Sequence, residues 1–359
     1  MSQAGTGAGS SIGAMAALAG HFVLRPGQAA SISGTRPIAA AGLLSQLLKG
    51  QHCAATQQRL GHVFTLCAHA HQRACALAFG GRPEPLALLR WETARDHLRS
   101  IALEWPQRLG EPSLQVDAMQ WLRTCPLPLA GATPPSASGA SESLADLHAW
   151  LKQDAGFPAQ CLSRWQSRGK DLAVPLRALD VLSHDDATQQ KQLRLLSTAI
   201  AANPGFTHSP QWQGADAETG PWTRLRHQRR TTAPQPVSAW TRLVARWKDL
   251  LDIASAPALA DDTIHDPVLS SGALRAGDGQ TIAWCEMARG LLLHWVQLDS
   301  HGAVAQYRVL SPTEWNFHPH GALALALAAR DPDDIAAAQT LAAAFDPCVE
   351  CNVQETAHA

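Results

Sequence analysis

The sequence has few charged residues and no long apolar run, and each shortage excludes a class of protein. Charged residues make up 16% of the 359 residues, and the formal net charge is −1. A protein that binds nucleic acid usually shows an excess or a cluster of basic residues, so we expect no nucleic-acid partner. Hydrophobic residues make up 46% of the chain, which is enough for a large buried core.

No segment has the pattern of a membrane span or an export signal. The longest apolar run, near 322–329, is far shorter than the ~20 residues that a membrane helix needs. The N-terminal segment has neither the positive charge of a secretory signal nor a twin-arginine pair. We therefore expect a cytoplasmic protein with no membrane partner. In that reducing compartment a cluster among the eight cysteines would indicate metal or redox chemistry rather than disulfides.

Hydrophobic periodicity predicts a mainly α protein of the α+β class, folded as one domain over residues 1–359. We divide it into an N-terminal segment (17–80), a helical middle (85–254) with a loop at 125–143, and a C-terminal segment (275–359). The terminal segments should supply a small β element. Helices are predicted at 37–50, 65–79, 84–105 (ended by Pro106), 144–153, 170–183, 187–202, 237–254 and 331–345. Strands are predicted at 21–25, 30–34, 281–287, 291–298 and 305–310.

Two cysteines near the C-terminus, Cys348 and Cys351, form a C-x-x-C pair in "DPCVEC". A redox pair should open a helix after a strand, where the helix N-terminus lowers the thiol pKa. Cys348 instead follows a predicted helix, which disfavours that role. A structural zinc site would need two more Cys or His ligands, and another metal centre would need a distant thiolate.

The best distant partner lies in "HVFTLCAHAH" (62–71), where Cys67 and His71 are four residues apart. On a helix they would share one face. A lone cysteine in an Ala-rich helix usually packs as a small apolar residue, as we expect for Cys75, Cys161 and Cys285. Cys67 differs from these three because it belongs to a wider pattern.

That pattern resembles the large subunit of [NiFe] hydrogenases. This family holds its bimetallic centre with two C-x-x-C motifs, R-I-C-G-V-C-x-x-x-H and D-P-C-x-x-C-x-x-H. Here 62–71 resembles the first, and 346–351 matches the D-P-C-x-x-C part of the second. Between them, 218–225, 286–295 and 307–319 resemble E-x-G-P-x-x-R, E-x-P-R-G-x-x-x-H and Y-x-x-V-x-P-T-x-W-N. The likeness is strongest over 282–352, whereas 85–200 match little of the family.

The departures from the family pattern all affect functional positions. The first cysteine of the N-terminal motif is Phe64, and the acidic residue of a proton relay is Ala19. The histidine after the last cysteine is Gln354, and only a short tail follows. Loss of one nickel thiolate and of the relay implies that the chain is not an enzyme.

The iron side of the centre resembles the family more closely. The resemblance implies that Cys67 and Cys351 contact iron, with Cys348 as a third thiolate and His71 beside them. The family iron carries one CO and two cyanides, and the cyanides accept hydrogen bonds at positions that Arg289, Pro312 and Thr313 occupy here.

A chain that keeps the iron side and loses the nickel side resembles the large-subunit-like accessory proteins of the HupK/HoxV type. The resemblance implies a scaffold for Fe(CN)2(CO), which the chain would receive from the maturation complex and pass to the apo large subunit. Two alternatives remain open. One is a zinc-stabilised protein with Cys67, His71, Cys348 and Cys351 as ligands, and the other is a metal-free assembly chaperone that mimics the large subunit.

Overall fold

The computed structural model describes residues 20–36, 43–129, 135–153, 156–175, 177–224, 237–257 and 266–354. Its helices are α1 (Leu43–Leu48), α2 (Cys53–Val63), α3 (Ala68–Ala78), α4 (Leu86–Arg99), α5 (Trp105–Leu109), α6 (Pro112–Leu122), α7 (Ala137–Gln153), α8 (Phe157–Gly169), α9 (Asp186–Ala202), α10 (Ala239–Ser255), α11 (Pro312–Asn316), α12 (Ala322–Ala328) and α13 (Ile335–Phe345). Its strands are β1 (His21–Leu24), β2 (Ile32–Thr35), β3 (Ser271–Gly277), β4 (Gln280–Met287), β5 (Gly290–Leu298), β6 (Val304–Leu310) and β7 (Glu350–Val353). The mainly α, α+β prediction is confirmed.

The β structure consists of two sheets. β1 lies between β2 and β7, so the two ends of the chain meet in one three-stranded sheet, as predicted for the terminal segments. β7 runs parallel to β1 with Phe22 opposite Cys351. The other sheet is antiparallel with the order β3-β4-β5-β6. The pairing of β7 with β1 joins the segment that carries the C-terminal cysteines to the N-terminal strand.

The long helix after Pro85 does not end at Pro106, as the sequence predicted. A π-helical turn, Ser100–Glu104, follows α4, and Pro106 lies in the first turn of α5. Proline has no N–H to donate and clashes with the carbonyl four residues earlier, but a first-turn position needs neither the donor nor that space. The helical path therefore continues to Gly110, which has a φ of 71°.

Three other boundaries differ from the prediction. The described part of 170–183 is not a helix, because Pro175 interrupts it and Ala173 forms an isolated bridge with Ser238. The predicted loop at 125–143 is shorter, since α7 already begins at Ala137 and buries one face of its first turns. Strand β3 begins at Ser271, where no strand was predicted. Helices α2, α6, α8, α11 and α12 were not predicted. The N-terminal part of the predicted helix 37–50 lies outside the described residues.

The main hydrophobic core joins both ends of the chain to the helices. It includes Phe22 of β1, Cys67, the buried face of α4, and Cys351 of β7. A second cluster packs α9 against the outer face of the four-stranded sheet. Within the described residues, no helix is both long and apolar enough to cross a membrane.

The turn between β4 and β5 is fixed by a glycine that no other residue can replace without strain. Gly290 has a φ of 129°, and a Cβ there would lie 2.7 Å from the Gly220 nitrogen. This close approach packs the turn against the segment at 218–220. It thereby sets the position of the preceding Arg289.

We expect Gly290→Ala to destabilise the protein by roughly 2–4 kcal/mol, because left-handed strain and a backbone clash add together. Gly302→Ala is the matched control. Gly302 lies in the next turn of the same sheet with a φ of 75°, and a Cβ there would meet nothing within 4 Å. It should cost about 1 kcal/mol from strain alone. Denaturant unfolding measures both, and equal losses would contradict the close packing at Gly290.

Candidate functional site

Cys67 lies in the turn between two packed helices. α2 closes with a hydrogen bond from the Phe64 N–H to the Leu60 carbonyl (2.8 Å). The Cys67 N–H then donates to the Phe64 carbonyl (3.2 Å), and Cys67 becomes the N-cap of α3. The sequence predicted a helix from Thr65 with Cys67 in its first turn, and that boundary is wrong. The Phe64 backbone is not helical, with a φ of −109° and a ψ of 63°.

The surroundings of Cys67 favour a neutral thiol. Burial raises its pKa well above the ordinary value, and the nearby Glu92 carboxylate and Cys348 sulfur raise it further. Glu92 accepts hydrogen bonds from the His69 N–H (2.9 Å) and the Ala70 N–H (3.0 Å), so it occupies the N-terminus of α3. A free helix N-terminus would lower a thiol pKa, and the carboxylate opposes that effect.

Cys348 and Cys351 line one open cleft with a volume of about 600 Å³. Cys348 is partly buried, and its Sγ lies 3.1 Å from the Oγ1 of Thr313. Cys351 is buried in β7, and burial raises its pKa to about 11, against a smaller opposing effect of Arg108. Cys348 is close enough to Cys67 to raise the pKa of its thiol.

Arg289 is buried between the sheet and the helices, as expected for a residue with specific partners. Its side chain forms an ion pair with Asp96, and its Nε lies 3.2 Å from the Asp346 carboxylate. Burial alone would lower the pKa of the guanidinium, but these two carboxylates raise it well above the ordinary value. The nearby Cys348 sulfur acts in the same direction. The Nη2 atom is buried and has no hydrogen-bond partner among the residues that the structure describes.

Asp346 connects the cysteine pair to three other elements. It caps α13 in a left-handed conformation with a φ of 45°, which aspartate tolerates better than most residues. Its carboxylate accepts from the Ser100 hydroxyl (2.7 Å) and pairs with Arg246 (3.0 Å) as well as Arg289. Burial raises the pKa of this carboxyl, but the two arginines lower it to about 2 overall. The charged form is thus held in place beside Cys348.

Pro312 and Thr313 begin the short helix α11. Ser311 and Glu314 form a capping box at its start, with Pro312 in the first turn. This geometry fixes the direction of Thr313, which is buried and lies against Cys348. Pro312 and Thr313 therefore lie beside the C-terminal cysteine pair.

His71 is engaged by neighbouring rings. It stacks face to face on Phe64, with ring centroids 3.8 Å apart and planes 1° apart. Its Nδ1 lies 3.0 Å from the Nε2 of His294, whose Nδ1 lies 2.6 Å from the Tyr307 hydroxyl. Burial, followed by the effect of His294, lowers the His71 pKa well below its ordinary value, so the ring is neutral. Phe64 thus packs as an apolar partner of the motif histidine.

Two other departures from the family pattern are at Gln354 and Ala19. Gln354 accepts a hydrogen bond from Arg25 (2.9 Å) and so joins the end of β7 to the end of β1. Ala19 lies outside the described residues. Within the part of the chain that the structure describes, no group of three or more His, Cys, Asp or Glu side chains is arranged to hold a metal ion. The iron ligand set and the Cys₃His zinc set both stay predictions.

Sequence reasoning missed several residues that shape this site, namely Arg36, Glu92, Asp96 and Glu314. Asp96 and Glu92 lie on α4, in the stretch that matched little of the family, so no motif pointed to them. Arg36 is buried and pairs with Glu314 (2.5 Å) across 278 residues. The only local signal for Arg36 is a single charge at the end of an otherwise uncharged strand.

Comparison with known proteins agrees with the fold and the motifs. The family model for nickel-dependent hydrogenases matches residues 239–354. A chain of the Dm. baculatum [NiFeSe]-hydrogenase superposes with a TM-score of 0.57 at 15% identity, covering 88% of this chain and 92% of that chain. A variant of the enzyme from Desulfovibrio vulgaris Hildenborough gives 0.55 at 17% identity with the same coverage. These likenesses establish a hydrogenase large-subunit-like fold.

Curated relatives are closer in sequence. The hydrogenase expression/formation protein HoxV of Cupriavidus necator is 36% identical, over 94% of this chain and 96% of its own length. HupK of Rhizobium leguminosarum bv. viciae is 31% identical, over 83% of this chain and 86% of its own. At that identity and coverage, the chain belongs to the HoxV/HupK family of hydrogenase expression/formation proteins, which share the fold of the hydrogenase large subunit.

Proposed function

We propose that the chain is a non-catalytic hydrogenase maturation factor that carries the Fe(CN)2(CO) fragment and passes it to the apo large subunit. The names of its relatives support a role in hydrogenase formation. The observation that carries the finer proposal is the contrast between the two sides of the site. Phe64 fills the place beside His71 with an apolar ring, while Cys67, Cys348 and a buried Arg289 share one neighbourhood.

The iron side offers ligands and donors that suit this cargo. Cys67 and Cys351 are the proposed iron thiolates, with Cys348 as a third. Cyanide bound to iron is an anionic acceptor, and a buried guanidinium N–H is a strong donor for it. Within the described ranges of the chain the Arg289 Nη2 has no hydrogen-bond partner, which fits a donor reserved for a ligand. Thr313 lies against Cys348, where its hydroxyl could serve as a further donor.

The nickel side argues against catalysis. Nickel in this type of centre depends on soft thiolate ligands, and a phenyl ring donates no lone pair. Phe64 is also packed against the core and stacked on a neutral histidine. A chain with this substitution can hold an iron fragment but cannot complete the four-thiolate centre.

Transfer would proceed by exchange of thiolates with no change in iron oxidation state. The Cys67 and Cys351 thiols lose their protons as the sulfurs bind iron, and they regain protons when thiolates of the apo large subunit replace them. Burial raises the pKa of both thiols, so reprotonation favours release. Two or three thiolates also hold the iron less firmly than the complete four-cysteine site of the acceptor.

The proposed partners are the maturation complex that builds the fragment and the apo large subunit that receives it. The cleft at Cys348 and Cys351 is open to solvent and has a volume of about 600 Å³. That opening is large enough for a partner's cysteine-bearing segment to approach the sulfurs directly. A zinc-stabilised protein would use the same cysteines as zinc ligands, whereas a metal-free chaperone would not need them.

We expect Cys67→Ser and Cys351→Ser each to abolish the infrared CO and cyanide bands of the full chain purified with its maturation machinery. Each change removes one of two essential soft ligands. Cys161→Ser is the matched control, because Cys161 is a buried cysteine in α8, away from both motifs. It should retain the bands and the iron content of the unchanged chain.

Other results would point to the alternative roles. Stoichiometric zinc without iron in the unchanged chain would favour the zinc-stabilised protein. Full support of hydrogenase maturation by both serine variants would favour the metal-free chaperone. Diatomic bands that survive the loss of Cys67 or Cys351 would refute the proposed ligand set.

Phe64 is the residue that distinguishes the proposed carrier from an enzyme. We expect Phe64→Cys to slow release of iron to the apo large subunit by about tenfold or more, because a further thiolate close to Cys67 strengthens the hold on the fragment. Phe64→Leu is the control, since it removes the ring without adding sulfur. Transfer is followed as loss of the diatomic bands from the isolated carrier after mixing. Equal rates for the two variants would show that the lost cysteine is irrelevant to transfer.

A further inference from the structure

A second buried guanidinium, that of Arg36, lies beside the cysteines. Arg36 follows β2 and is 7% exposed. Its Nη1 donates to the Ser311 hydroxyl (2.7 Å) and to the Glu314 carboxylate (2.5 Å). Both partners belong to the capping box that opens α11. The guanidinium is therefore fixed to the same helical turn that holds Thr313 against Cys348.

One donor of this guanidinium is unused. The Arg36 Nε is buried and has no hydrogen-bond partner in the part of the chain that the structure describes. Arg36 also lines a cavity of about 180 Å³ together with Thr313, Phe22 and Phe317. The wall also includes the Glu314 carboxylate, which pairs with Nη1 of Arg36. The group in this wall that a small anion would meet is the unused N–H of Arg36, since a guanidinium N–H is a strong donor to an anionic acceptor.

Electrostatics connect this cavity to the cysteines. Burial alone would lower the pKa of the Arg36 guanidinium, but Cys348 and Glu314, followed by Cys67, raise it overall. The guanidinium therefore stays charged and acts on cysteines of both motifs. Among the described residues its one carboxylate partner is Glu314, whereas Arg289 faces two, Asp96 and Asp346.

We propose that Arg36 and Thr313 form an anion subsite beside Cys67 and Cys348 that binds an anionic diatomic ligand of the iron cargo. The inference rests on the proposed carrier function and adds a residue and a role to it. The subsite is separate from Arg289, which approaches from the β4–β5 turn.

The charge of the cargo explains why a second cation is useful. A ferrous ion with two cyanides and two thiolates is an anion, because four negative ligands outweigh the metal charge. A buried anion is costly unless cations and donors compensate it. A hydrogenase centre gains positive charge from its second metal, and the Phe64 position removes that contribution here. Arg36 places a guanidinium near this position, and although Glu314 balances its charge, one of its N–H groups is left to donate to an anion.

The test uses the full chain purified with its maturation machinery. Arg36→Met combined with Glu314→Gln removes the cation without leaving a buried carboxylate unpaired. We expect this pair of changes to reduce iron per chain about tenfold and to shift the cyanide bands of any remaining cargo, as loss of a charge-assisted donor predicts. Arg36→Lys, with Glu314 unchanged, keeps the positive charge, and this variant should retain most of the iron.

The control neutralises a buried ion pair elsewhere in the core. Arg90 and Asp266 pair at 2.6 Å and are both buried. Arg90→Met with Asp266→Asn removes a buried ion pair of the same kind. It should leave the iron content per chain and the positions of the cyanide bands unchanged. If the unchanged chain carries no CO or cyanide bands, the carrier function itself fails. If it carries them and the Arg36/Glu314 variant retains the same iron and the same bands, only the anion subsite is refuted.

Discussion

The Asp346 carboxylate is the constraint on which the geometry of the cysteine pair depends. It lies in a left-handed position immediately before Pro347 and Cys348, and it is bound by Ser100, Arg246 and Arg289. These partners come from the π-helical turn, from α10 and from the β4–β5 turn. Buried ion pairs add little net stability, since desolvation offsets much of their attraction. Their effect here is positional, because the carboxylate fixes where the chain leaves α13 and enters the cysteine segment.

The network continues away from the site and gives the helical middle a role that its sequence did not suggest. Arg246 contacts His97, and His97 shares Asp249 with Arg224. Arg224 belongs to the segment that resembles a hydrogenase motif, yet its guanidinium is buried and binds a carboxylate of α10. Arg224 thus helps to hold the site in position through a chain of buried contacts. This explains how the fold persists although the nickel side has changed.

The sequence predicted what depends on local pattern and on motif. Strands β1 and β2, strands β4 to β6, and helices α9 and α10 follow from periodicity, and the cysteine positions follow from the hydrogenase-like motifs. What it missed depends on distant contacts. Pro106 looks like a helix end until the π-helical turn before it is known, and Arg36 acquires meaning only through Glu314, 278 residues later. Pro175 shows the opposite error, where an apolar pattern outweighed a residue that cannot extend a helix.

Two buried donors without acceptors, Arg36 Nε and Arg289 Nη2, connect the fold to the proposed cargo. A buried polar group without a partner costs about 1–3 kcal/mol, and folding could avoid that cost with a different side chain at either position. In Arg289 the other two nitrogens are held by Asp96 and Asp346, and in Arg36 the Nη1 atom is held by Ser311 and Glu314, so neither guanidinium turns freely to bring its unused N–H to another acceptor. An anionic ligand that met these donors would recover the cost on binding. The same rigidity allows release, because no part of the pocket must unfold when the iron moves to a site with more thiolates.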